Sequence, residues 1–127
     1  MTKIIDGKSI AGDIRSDLGS VVQRYTTLNQ RAPFLGVILV GNDPASKIYV
    51  GHKEKACKDV GIQTKTWHLD AQTEEQELLN LIQLLNQDDQ VDGILLQLPL
   101  PVQINKTKAI SSIHPLKDVD GLTPVNP

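Results

Sequence analysis

The chain has 127 residues, 39% hydrophobic and 22% charged, enough for one domain with a genuine core and too apolar for gross disorder. Its 13 basic and 15 acidic side chains leave a formal charge of −2, and with 3% aromatics this excludes the usual equipment for nucleic-acid binding. No apolar run approaches the roughly 18 residues of a membrane span, Asp6 stands where a signal peptide keeps its apolar core, and a single cysteine suits the cytoplasm.

Taken in chain order, Ile10, Ala11, Ile14, Leu18, Val21, Val22, Tyr25 and Leu28 recur at helical spacing and predict a helix over 7–29, N-capped by Asp6. Phe34 to Val40 is evenly apolar and too short for an amphipathic helix, so it predicts a strand covered on both faces, as in a parallel sheet. Gly41-Asn42-Asp43-Pro44 ends that strand and opens a second helix: Asp43 suits the N-cap, and Pro44 the first helical position, where its missing N–H costs nothing. This helix is expected to run to about Val60 and stop at Gly61. Residues 62–69 predict a strand. Thr73-Glu74-Glu75-Gln76 has the form of a capping box for a third helix with Leu78, Leu79, Ile82 and Leu85 on its apolar face. Residues 91–98 predict another buried strand, halted by Pro99 and Pro101, followed by a short helix near 105–113 and a turn-rich tail from His114.

Alternating strands and helices imply right-handed crossovers and an α/β fold, a three-layer α/β/α sandwich around an open, mainly parallel sheet. Strands 34–40 and 91–98 are expected to be neighbours. Ligands in such sheets bind beyond the carboxyl ends of the strands, which puts residues 41–46 and 97–101 on one edge.

Several side chains at that edge carry chemistry. Tyr49 and Lys53 are four apart and share a helix face. Alone, the pair reads as a solvated lysine beside a partly buried tyrosine; in a desolvated site it reads as a lysine that moves protons, oriented by a hydroxyl. Lys53 lies over two turns into its helix, so its reach to the edge calls for a tilted or late-starting helix. Gln97 is an amide in an apolar strand end, and either ties down backbone or meets the lysine or a polar ligand. Asp120 closes Asp118-Val119-Asp120, a turn before Gly121 or a carboxylate able to accept two donors from an amino-pyrimidine edge. That stretch lacks the other ligands of a calcium loop, so no metal is expected. Cys57 reads as a small core residue rather than a nucleophile, and no G-x-G-x-x-G or P-loop pattern is present.

Three blocks go further than generic patterning. They are Gly41-Asn42-Asp43-Pro44-Ala45-Ser46-Lys47-Ile48-Tyr49-Val50 continuing through Lys53-Glu54-Lys55-Ala56-Cys57; Asp92-Gly93-Ile94-Leu95-Leu96-Gln97-Leu98-Pro99-Leu100-Pro101; and Pro115-Leu116-Lys117-Asp118-Val119-Asp120-Gly121-Leu122. In these the chain closely resembles the bifunctional methylenetetrahydrofolate dehydrogenase/methenyltetrahydrofolate cyclohydrolase family, in its N-terminal folate-binding domain. The resemblance runs from about Lys3 to Asn126. It implies oxidation of 5,10-methylenetetrahydrofolate with NADP and hydrolysis of the methenyl product to 10-formyltetrahydrofolate, in one-carbon metabolism and purine biosynthesis. By motif position Lys53 resembles the family's catalytic lysine, Tyr49 the tyrosine flanking the folate, Gln97 the glutamine that hydrogen-bonds the lysine, and Asp120 the aspartate that grips the pterin.

Family members are roughly twice as long and carry NADP on a second, Rossmann-type domain. On that pattern residues 1–122 are expected to be the folate-binding catalytic domain, and 123–127 the start of a crossing to an NADP domain this chain lacks. Folate substrate, a homodimer in the full-length parent and a cytoplasmic location are the further expectations, with no nucleic-acid or membrane partner. The 127 residues alone are expected to lose most activity. A non-catalytic folate-binding or regulatory module, or an interaction domain, stays open beside the enzyme.

Overall fold

A computed structural model describes residues 14–119. Within them α1 (Ile14–Asn29) leads to β1 (Phe34–Val40), α2 (Pro44–Val60), β2 (Gln63–Leu69), α3 (Glu75–Gln87), β3 (Gly93–Leu96) and α4 (Lys106–Ser112), and a 3-10 turn spans Pro115–Lys117. The expected start of the first helix, with Asp6 as its cap, lies outside the described residues.

β1 is central, with β2 on one side and β3 on the other, all parallel. Phe34 pairs with Gln63 and Val40 with Leu69, while Leu35 pairs with Gly93 and Ile38 with Leu96. The pleat divides β1 between two cores. Ile38 and Val40 pack with Leu78, Ile82 and Leu85 of α3 and Ala109 and Ile110 of α4. Val37 and Leu39 pack with Leu95 and with Val50 of α2 on the opposite face. A strand buried on both faces needs apolar residues at every position, which is why FLGVILV does not alternate.

The start of α2 follows expectation: the Asp43 carboxylate accepts from the Ala45 N–H at 2.9 Å, and Pro44 takes the first helical position. Gly61 closes the helix in the left-handed region at φ 91°, a conformation glycine adopts without a Cβ penalty.

Four local expectations need correction. The capping box of α3 is displaced by one residue, since Glu74 is the N-cap and Glu77 accepts from its N–H at 3.1 Å, while Thr73 is buried. The third strand is Gly93–Leu96 rather than 91–98, although Gln97 N still donates to Ile38 O at 3.0 Å. Leu28 is 77% exposed, so the apolar stripe of α1 is not buried at its last turn. Cys57 is half-buried rather than in the core.

The amino ends of the strands are fastened by one carboxylate. Asp92 accepts two bonds from the Arg31 guanidinium, at 2.8 and 3.0 Å, the Tyr25 hydroxyl at 2.6 Å and the Phe34 N–H at 2.8 Å. Partial burial works to raise its pKa, but the bonds from Arg31, Tyr25 and Phe34 outweigh it and hold the carboxyl below its ordinary range. Burial first, and then the bond to Asp92, push the Tyr25 phenol up.

Candidate active site

At the opposite, carboxyl edge the β1–α2 turn and the chain after β3 lie side by side. Ser46, on the first turns of α2, is wholly buried and its Oγ donates to Leu98 O at 3.3 Å. Gln97 is 8% exposed, and its Nε2 donates to the same carbonyl at 3.0 Å. With its nitrogen held there, the Gln97 side chain presents Oε1 to Lys53, whose Nζ donates to it at 2.9 Å. Two residues 44 apart in sequence thus meet at the edge where parallel sheets bind ligands.

Lys53 reaches this point although α2 begins at Pro44. Two features of the geometry permit it. Helical side chains lean toward the N-terminus of their helix, here toward the carboxyl edge of the sheet. Gln97 is also set low in the edge: its N–H bonds Ile38 O, and with Leu96 paired to Ile38 it stands one residue short of the end of β1 at Val40.

Tyr49 lies one turn before Lys53 on the same face and is 54% exposed, so its ring and hydroxyl stand at the rim. Asp120 lies outside the described residues. Its neighbour Asp118 is buried and pairs with Ile94 through an isolated parallel bridge, which lays the chain ahead of Asp120 along the outer side of β3. Cys57 does not join the site: burial, with Glu54 nearby, pushes its thiol pKa up, away from the thiolate a nucleophile needs. Among the described residues no three His, Cys, Asp or Glu side chains gather as metal ligands, and no helix is long and apolar enough to cross a membrane.

The sequence reading did not single out two side chains of this edge. Ser46 is one; its signal was a hydroxyl three residues before Tyr49, on the helix turn facing the sheet. His68 is the other; its Nε2 lies 2.7 Å from Gly41 O, so the ring donates across from β2 to the turn that opens α2. Nothing local in sequence marks His68, because its partner is 27 residues away.

Comparison with known proteins matches residues 5–120 to the family described as tetrahydrofolate dehydrogenase/cyclohydrolase, catalytic domain. The chain belongs to this family. Among solved structures it is similar to the bifunctional FolD methylenetetrahydrofolate dehydrogenase/cyclohydrolase of Campylobacter jejuni, at 45% identity over 95% of this chain and 43% of that one, with a TM-score of 0.86. A 5,10-methylenetetrahydrofolate dehydrogenase from the silkworm Bombyx mori is 43% identical over 94% of this chain and 41% of its own, with a TM-score of 0.87. The Trypanosoma brucei FolD enzyme, solved with NADP cofactor and inhibitor, is 34% identical with a TM-score of 0.85, over 94% of this chain and 41% of its own. This member of the tetrahydrofolate dehydrogenase/cyclohydrolase family therefore spans less than half the length of these relatives. Over that span the three-stranded parallel sheet and its flanking helices are the fold they share.

Proposed function

We propose that the protein carrying this chain oxidises 5,10-methylenetetrahydrofolate to the methenyl form with NADP and hydrolyses that to 10-formyltetrahydrofolate, and that residues 1–122 are its folate-binding catalytic part. The observation that carries this reading is the Lys53–Gln97 hydrogen bond of 2.9 Å, which joins two of the three sequence blocks at the ligand-binding edge. Membership of the family supplies the substrate class.

In this reading Lys53 is the proton carrier of the hydrolysis. Water forms a C–O bond to the methenyl carbon and gives up a proton, which Lys53 carries. The carbon–nitrogen bond to N5 of the pterin then breaks as the new hydroxyl proton passes to that nitrogen, leaving the formyl group on N10; Lys53 returns its proton to solvent. Gln97 accepts one lysine N–H and holds the amine in place, which matters because catalysis by a positioned group decays steeply with misplacement. Tyr49, at the rim, flanks the folate. Asp120 accepts two donors from the pterin edge.

NADP supplies the hydride acceptor of the dehydrogenase step. Among the described residues nothing fits it. The β1–α2 turn has one glycine, and the N-terminus of α2, where a pyrophosphate would sit, is taken by the Asp43 carboxylate. No step through NADP is therefore assigned to these residues, and its site is placed in a separate domain of the whole protein. A homodimer, a cytoplasmic location and a role supplying purine biosynthesis complete the reading; the single cysteine supports the second, and the family resemblance alone the other two.

Lys53→Met in the full-length protein is the test. It keeps the side-chain length and removes the amine, so cyclohydrolase turnover should fall to background while the melting temperature moves by only a few degrees. Near-normal turnover refutes the assignment. Folate binding by the unaltered protein without turnover would instead establish a binding module.

A further inference from the structure

We infer that Gln103 is a positioning residue for this site, a cross-tie that holds the cleft wall formed by residues 98–102. The inference rests on the folate reading above. It starts from three loops that end the three strands: the β1–α2 turn at Gly41, the β2–α3 loop over 70–74, and the β3–α4 connection over 97–105. Each is a separate excursion of the chain, and the third carries Gln97 and Leu98 at its start and Val102, 97% exposed, at its tip.

Side chains link the three in series. His68, at the end of β2 just before the second loop, donates to Gly41 O at 2.7 Å and so ties the root of that loop to the first. Gln103 Nε2 donates to Ala71 O and Thr73 O, both at 2.9 Å, joining the third loop to the second. One primary amide has two N–H hydrogens, and here both are spent on carbonyls of one loop. The far end of the connection is held independently: Glu75 accepts from Asn105 N at 2.7 Å and pairs with Lys108 at 3.3 Å. Gln103 is thus the tie nearest the cleft, between a fixed Gln97 at one end and a fixed Asn105 at the other. Without it, Leu98 keeps its bonds to Ser46 and Gln97 and Pro101 its bond from Ile104 N, but the segment between them, with Val102 at its tip, loses its tie to the second loop, and the order it loses must be restored by each binding substrate.

The decisive variants are Gln103→Glu, which replaces a donor by an acceptor facing two carbonyls, and Gln103→Lys, which restores N–H donors on a longer stem. Folate KM, kcat and backbone hydrogen exchange over 98–104 are measured in the full-length protein, with 5,10-methenyltetrahydrofolate as the probe. Loss of two neutral hydrogen bonds predicts that Gln103→Glu raises KM by about five- to tenfold with kcat little changed. Exchange over 98–104 should accelerate, and Gln103→Lys should recover both. A lowered melting temperature with unchanged KM and unchanged loop exchange overturns the inference, because Gln103 would then be a structural tie only. If the unaltered protein shows no turnover, the folate reading fails, and unchanged exchange over 98–104 in Gln103→Glu still refutes the cross-tie on its own.

Discussion

Replacing Gln97 by methionine separates stability from function at this site more cleanly than any other single change. The substitution keeps volume and burial but removes the acceptor for Lys53 Nζ at 2.9 Å and the donor to Leu98 O at 3.0 Å. Neither partner is stranded. Leu98 O keeps the Ser46 hydroxyl at 3.3 Å, and the half-buried Lys53 amine turns to water. Two net hydrogen bonds at about 1 kcal/mol each, partly offset by burying a thioether in place of an amide, leave a loss near 1 kcal/mol. For a domain of this size that lowers the melting temperature by about 4 °C. The rate behaves differently. An amine without its anchor samples positions about 1 Å away, and such misplacement costs on the order of a hundredfold in turnover. Cyclohydrolase assays and thermal melts on the full-length Gln97→Met variant test both halves. Turnover within threefold of the unaltered protein refutes the anchoring role. A melting temperature lower by about 15 °C shows instead that Gln97 mainly holds the strand end in place.

Asp92→Ala should cost about 2–3 kcal/mol, because it leaves the Phe34 N–H, Tyr25 and Arg31 without their shared acceptor; a thermal melt showing no change contradicts this. The same pair of proteins tests pH. A carboxyl whose folded pKa is depressed stabilises fully above its unfolded pKa of about 3.9 and loses that stabilisation as pH falls through its folded value. The gap between unaltered protein and variant should therefore be widest at neutral pH and close below about pH 4, and a gap that widens in acid is the contrary result. Gly41→Ala should destabilise by about 1–2 kcal/mol through the backbone alone, since φ is 96° and the added Cβ would meet Ala71 only at an ordinary 3.8 Å. Equal stability of the two proteins in urea would show that the turn relaxes freely.

Legibility in the sequence followed the range of the interaction. FLGVILV and the GILL of β3 showed as buried strands because burial on both faces removes alternation, and Asp43-Pro44 and Gly61 marked the ends of α2 through purely local geometry. The α3 cap slipped because local preference favours Thr73 over Glu74 at an N-cap, whereas Thr73 is buried and Glu77, not Gln76, is the side chain that reaches back. In the site, Tyr49 and Lys53 could be paired from helical spacing, and Gln97 could be suspected because an amide in an apolar strand end needs a partner. The contact between Lys53 and Gln97 could not be read locally, since it depends on parallel register across β1 and β3 and on the lean of a long side chain. Ser46, His68, Gln103 and Asp92 stayed hidden for a related reason: each is bonded to a residue at least 27 positions away.

The two ends of the sheet show why a carboxyl with a perturbed pKa need not mark a site. Asp92 takes four donors on its two carboxylate oxygens, from Arg31 twice, Tyr25 and Phe34. That set leaves no room for a substrate, and the depressed pKa reports saturation by the protein's own groups. A perturbed carboxyl points to function when it lies in a cleft with capacity to spare; here it joins the start of β1 to the residue before β3 and acts as a staple. At the carboxyl edge the economy is reversed. The Gln97 amide is committed to Leu98 and Lys53, while the Lys53 amine donates to Gln97 from a half-buried position with Tyr49 exposed one turn away. An amine held by one bond among the described residues is positioned without being used up by them, which is the condition for it to exchange protons with a bound molecule. Folding thus concentrates complete satisfaction at the amino edge and partial satisfaction at the carboxyl edge, and it is the second that the proposed chemistry requires.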